Sequence, residues 1–68
     1  MDALIRVNGQ EEPLRTATVA ELLAARGVVT AKGVAVAVNG AVVPAGAWRV
    51  ARLSAGDQIE IVKPFGGG

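Results

Sequence analysis

Residues 3–7 alternate as a strand does: Ile5 and Val7 fall on one face, Leu4 and Arg6 on the other. Asn8-Gly9 follows, a pair in which both residues tolerate positive φ, and it predicts a tight hairpin. The returning strand is expected at residues 11–15. Pro13 has no N–H to give, which places that strand at an edge. Helical spacing then takes over at Val19, Leu22 and Leu23, with Ala20, Ala24 and Ala25 as helix formers. Thr18 and Glu21 stand in the capping-box relation, and Gly27 supplies a left-handed stop. A helix of about two turns does not hold alone in water, so its apolar stripe must rest on a sheet.

Residues 34–39 form the second clear strand, with Val34, Val36 and Val38 on one face and Ala35 and Ala37 on the other. Both faces are apolar, so alternation alone does not orient it; the larger valines are expected inward on volume grounds. Asn39-Gly40 turns the chain again, residues 41–43 form a short extended piece, and Pro44 stops it. Residues 44–49 are expected as an irregular helical turn carrying Trp48, whose ring serves packing. A brief strand at residues 52–53 and a turn at residues 54–57 lead to the final strand, residues 58–63. There Ile59 and Ile61 point inward, Glu60 and Val62 outward. The expected core is Ile5, Val7, Val19, Leu22, Leu23, Val36, Ile59 and Ile61. A hairpin, a helix and a return to the sheet make the α+β order of the β-grasp fold. This is a mixed sheet of four or five strands with one main helix on one face, the last strand parallel to the first. Leu4, Ala35, Ala37 and Val62 fall on the opposite face. They are expected to form one exposed apolar patch and are the candidate partner interface.

Composition narrows the chemistry. The chain has 68 residues, enough for a single domain at residues 1–64 and a glycine tail at residues 65–68. It has no His and no Cys. That removes the common zinc, haem and iron–sulfur ligand sets, the Ser–His and Cys–His nucleophile pairs, and any disulfide. No catalytic residue, bound cofactor or metal site is assigned, and an autonomous enzyme is not expected. The net charge of +1 implies no nucleic-acid partner. The longest uncharged stretch, residues 33–48, is interrupted by Asn39, Gly40, Pro44 and Gly46 and is too short for a membrane span. With Asp2 and Arg6 near its start the chain has no signal-peptide pattern, and a cytoplasmic protein, monomeric when free, is expected.

The chemistry is expected in Phe65-Gly66-Gly67-Gly68. A run without side chains can thread a narrow channel and present its carboxylate inside another protein. An α-carboxylate, with a pKa of about 3.5, is ionised in the cell and is a poor electrophile. It reacts only once activated, for example as an acyl adenylate. Gly68 is thus the candidate reactive residue and Phe65, Gly66 and Gly67 the threading residues. The run is expected to be mobile in the free protein.

The whole chain resembles the ThiS-type sulfur carriers of thiamine biosynthesis. The resemblance runs through Val7-Asn8-Gly9, Thr18-Val19-Ala20-Glu21-Leu22-Leu23, Val38-Asn39-Gly40, Val42-Val43-Pro44, Trp48, Gly56-Asp57, Ile59-Glu60-Ile61-Val62 and the terminal glycines. It departs at Ala45-Gly46-Ala47, which is less polar than the family pattern. The resemblance implies that a ThiF-type enzyme spends ATP to adenylate Gly68. A sulfur donor enzyme, ultimately a cysteine persulfide, converts the product to a thiocarboxylate, and thiazole synthase receives the sulfur. Two alternatives stand beside it: a carrier like the small subunit of molybdopterin synthase, and a β-grasp binding module that never reacts.

Overall fold

A computed structural model describes residues 3–64. The domain boundary expected after residue 64 and the glycine tail with its expected mobility lie outside the described residues. Five strands and one α-helix follow in chain order: β1 (Leu4–Val7), β2 (Gln10–Pro13), α1 (Val19–Ala25), β3 (Ala35–Val38), β4 (Ala41–Val42) and β5 (Gln58–Val62). They form one mixed sheet in the order β2-β1-β5-β3-β4. β5 runs parallel to β1, with Val7 opposite Ile59, and antiparallel to β3, with Val36 opposite Ile61. β2 and β4 pair antiparallel at the two edges. The fold is the α+β β-grasp, and no described helix is long and apolar enough to cross a membrane.

Alternation decides the core. Ile5 and Val7 of β1, Val36 of β3, and Ile59 and Ile61 of β5 are buried against Val19, Leu22 and Leu23 of α1. Val34 and Val38 are only partly buried at the margins of the same cluster. Two strands are shorter than their patterns suggested. The returning strand occupies Gln10–Pro13, not residues 11–15. Leu14 N–H still donates to Ala3 O at 2.8 Å, so by the two-residue period of the ladder the Pro13 nitrogen points off the free edge. β3 loses both ends of residues 34–39: Val34 N–H turns back to Ala31 O, and Asn39 enters the hairpin at φ 53°.

The ends of α1 are tied down on both sides. Thr18 Oγ1 accepts from Glu21 N–H at 3.2 Å, while Glu21 Oε1 accepts from Ala17 N–H, one residue earlier than an ideal capping box would have it. The next free N–H groups are satisfied from a distant segment: Val19 donates to Ala51 O and Ala20 to Trp48 O. At the other end Gly27 N–H reaches Ala24 O and Val28 N–H reaches Leu23 O, a Schellman stop with Gly27 at φ 80°.

The segment that braces the helix start is the connection before β5. A 3₁₀ turn at Ala45–Ala47 delivers Trp48, which is 8% exposed and donates its indole N–H to Val43 O at 2.8 Å. Its ring packs in the core. The extended piece at residues 52–53 is a single bridge between Arg52 and Thr18, and it buries Leu53, a core residue that alternation had not marked.

Candidate functional site

The residues expected to react and to thread, Gly68 with Phe65, Gly66 and Gly67, lie outside the described residues. What the structure describes is the platform from which they depart, the C-terminal end of β5 and its neighbours. β1 accompanies β5 only as far as Ile59, because at Asn8-Gly9 the chain folds away into β2. The Asn8 side chain takes over from the missing strand. Its Oδ1 accepts from Ile61 N–H at 2.8 Å, and its Nδ2 donates to Ile61 O at 3.2 Å. One amide thus reproduces both hydrogen bonds of a strand neighbour.

Asn39 does the same service at the other end of β5. Its Oδ1 accepts from Gln58 N–H at 2.9 Å and its Nδ2 donates to Asp57 Oδ1 at 2.9 Å. Asp57 in turn accepts from Ser54 N–H, which closes the turn before the strand. Asn8 and Asn39 are the two non-glycine residues with positive φ among the described residues, at 52° and 53°. Each therefore bears a backbone strain that asparagine tolerates better than most residues, and each uses the resulting direction of its amide to hold β5.

Asn8→Gly separates these two roles, since glycine adopts the turn without strain but has no amide. We expect a loss of about 1–3 kcal/mol in urea unfolding. Faster hydrogen exchange at the Ile61 amide should accompany it. Unchanged exchange would show that the Asn8 side chain does not hold β5.

The four residues of the candidate partner interface do not form the single patch expected. Ala35 pairs directly with Val62, and Ala37 lies one pleat further, opposite Glu60 on one side and Val42 on the other. Val62 and Val42 are 61% and 76% exposed, so an apolar strip of Val62, Ala35, Ala37 and Val42 crosses β5, β3 and β4. Val42 escaped the sequence reading because its short strand offered too few residues for alternation to speak. Leu4 stands apart. Gly56 N–H bonds Leu4 O, which sets Leu4 level with the start of β5, six residues and about 20 Å along the strand from Val62. Arg6, Gln58 and Glu60 occupy the outer face between them. They border a shallow hollow of about 390 Å³, also lined by Asn8, Gly9 and Ile59, where β1 leaves β5.

The ion pair among the described residues, Arg26 with Glu12 at 2.9 Å, ties the end of α1 to β2 and is half-exposed. Among the described residues no three acidic side chains gather as a metal site would require. A small sheet, braced on both flanks of its central strand and followed in sequence by a glycine run, has the architecture of the ubiquitin-like β-grasp proteins.

The comparisons with known proteins sharpen that class to a family. The model of the ThiS family matches residues 3–68. The crystal structure of the thiamine biosynthesis protein ThiS from Geobacter metallireducens is 34% identical, with a TM-score of 0.76 over 96% of this chain and 99% of that one. A solution structure of a thiamine biosynthesis protein from the same organism gives 34% identity and a TM-score of 0.76, covering 100% of this chain and 88% of that one. No curated protein matches the chain in sequence. The chain belongs to the ThiS family, and is a ThiS-type sulfur carrier.

Proposed function

We propose that this chain carries sulfur for the thiazole of thiamine on the carboxyl group of Gly68. The observation that carries the reading is the family match, which runs from residue 3 through the glycines to residue 68. In the first step a carboxylate oxygen of Gly68 attacks the α-phosphorus of ATP, pyrophosphate leaves, and an acyl adenylate forms on a ThiF-type enzyme. In the second the outer sulfur of a donor cysteine persulfide attacks the acyl carbon and expels AMP, giving an acyl disulfide. A thiol then attacks the donor-side sulfur, which releases the thiocarboxylate and leaves that thiol in a disulfide with the donor. Thiazole synthase then takes the sulfur. The carrier contributes no base, metal or bound cofactor; ATP belongs to the activating partner.

Physical chemistry favours this division of labour. A thiocarboxylate sulfur is softer and more nucleophilic than a carboxylate oxygen, and attachment to a protein keeps it out of free solution. Glycine at positions 66–68 leaves the run thin enough to enter an enzyme that a side chain would block. We place the encounter with the activating enzyme on the outer sheet face, where the strip of Val62, Ala35, Ala37 and Val42 adjoins the start of the run, with Leu4 as a separate outlying contact. The free carrier is a cytoplasmic monomer on this reading.

The test is ATP–pyrophosphate exchange with a ThiF-type enzyme, followed by intact mass after a sulfur donor is added. The native chain should support exchange and then exchange one oxygen for one sulfur, localised to Gly68. Binding to the enzyme without exchange would leave the chain a β-grasp binding module.

A further inference from the structure

Gly33 sits in the loop between α1 and β3 at φ 75°. A Cβ placed on it would stand 2.9 Å from Pro64 Cγ, 3.3 Å from Pro64 Cβ and 3.5 Å from Pro64 Cδ. Gly9, Gly27, Gly40 and Gly56 also have positive φ, yet a Cβ on any of them would meet nothing within 4 Å. Gly33 is therefore set apart by its neighbour and not by its backbone alone. The register explains the meeting: Val36 faces Ile61 and Ala35 faces Val62, so the same antiparallel register carried two residues further brings Gly33 level with Pro64. Proline has no N–H to continue the ladder. Its ring lies against the bare Cα of Gly33 instead.

We infer that Gly33 is a positioning residue for the C-terminal run: its missing side chain lets Pro64 seat beside the α1–β3 loop, and that seat fixes the point on the sheet from which the run is offered to the activating enzyme. The inference rests on the carrier reading and adds to it a residue far from Gly68 in sequence. A Cβ at residue 33 would overlap Pro64 Cγ and crowd Pro64 Cβ, while Cδ at 3.5 Å would be in ordinary contact, so the ring must shift or change pucker to admit it. Pro64 is the last described residue before the glycine run, and Asn8 already fixes Ile61 three residues upstream. A shift at Pro64 therefore moves the point at which the run begins.

The test is a double-mutant cycle on adenylation by a ThiF-type enzyme, with Gly33→Ala, Pro64→Gly and the pair, and with Gly27→Ala as the control for left-handed backbone cost in open space. We expect either single change to raise the apparent KM for the carrier about tenfold, with kcat within about twofold, the mark of lost positioning before chemistry. The double variant should be no worse than the poorer single one, because both remove the same seat. Gly27→Ala should keep both constants near native at a temperature where circular dichroism shows it folded. Equal KM values for Gly33→Ala and Gly27→Ala, or effects of Gly33→Ala and Pro64→Gly that multiply, would overturn the inference and leave the carrier reading standing. A native chain that is not adenylated would bring down that reading and this one with it. The native protein should also show NOEs between the Gly33 α-protons and the Pro64 ring. Their absence would overturn the inference even if Gly33→Ala failed to fold.

Discussion

One alanine added after Gly68 should abolish adenylation without touching the fold. The expectation follows from distances. Reacting atoms must come within roughly 3–3.5 Å in line with the α-phosphorus. An added residue carries the carboxylate onward by about 3.3–3.6 Å and introduces a Cβ into a channel that the native glycines leave open. The carboxylate then overshoots the phosphate by a full reacting distance. Deleting Gly67 and Gly68 retracts it by about 7 Å, with the same result from the other side. Neither change reaches the core, which is built from residues between Ile5 and Ile61. Urea unfolding and the near-ultraviolet signal of Trp48 should match the native protein, while pyrophosphate exchange falls by at least about a hundredfold. An extended chain that is adenylated and sulfurated as well as the native one would refute the carrier mechanism and favour a module that binds with its sheet alone.

Local pattern carried most of the frame. The alternations at Ile5/Val7 and Ile59/Ile61, the Asn-Gly turns, the Thr18 cap and the Gly27 stop each depend on residues a few positions apart, and all appear in the fold. Contacts between distant residues were beyond that kind of reading. Asn8 and Asn39 read as turn chemistry, and so they are, but their amides also brace a strand some 20 or 50 positions later. Leu53 and Trp48 enter the core because residues 48–53 complete the hydrogen bonds of the α1 N-terminus, a role with no periodicity of its own. The interface residues show the same limit. Alternation assigned Leu4 and Val62 to one face, but only the parallel register of β1 and β5 reveals that they stand at opposite ends of it. The meeting of Gly33 with Pro64 likewise waits on the register of β3 and β5.

The packing of α1 can be tested with comparable force. Leu22→Ala should destabilise the domain by about 2–5 kcal/mol. Leu22 is 4% exposed and sits midway along a helix of seven residues whose buried side chains are Val19, Leu22 and Leu23. Alanine is at least as good a helix former as leucine, so the substitution costs the helix nothing locally and the loss reports packing against the sheet. A helix of this length cannot persist without that packing. Domains of this size have total stabilities of roughly 3–10 kcal/mol, so one cavity removes a large share of the whole. Val29→Ala is the natural comparison. Val29 is 93% exposed in the loop that follows α1, and its truncation should stay within about 0.5 kcal/mol of native. The urea midpoint should fall for Leu22→Ala with the slope of the transition unchanged, as expected when the native state loses packing and the unfolded state is unaltered. Because this cluster is built from residues between Ile5 and Ile61, Leu22→Ala protein that remains folded should still be adenylated. Loss of exchange in a folded variant would tie the helix to the partner rather than to the core, and a midpoint equal to the native one would mean that α1 does not seat on the sheet through Leu22.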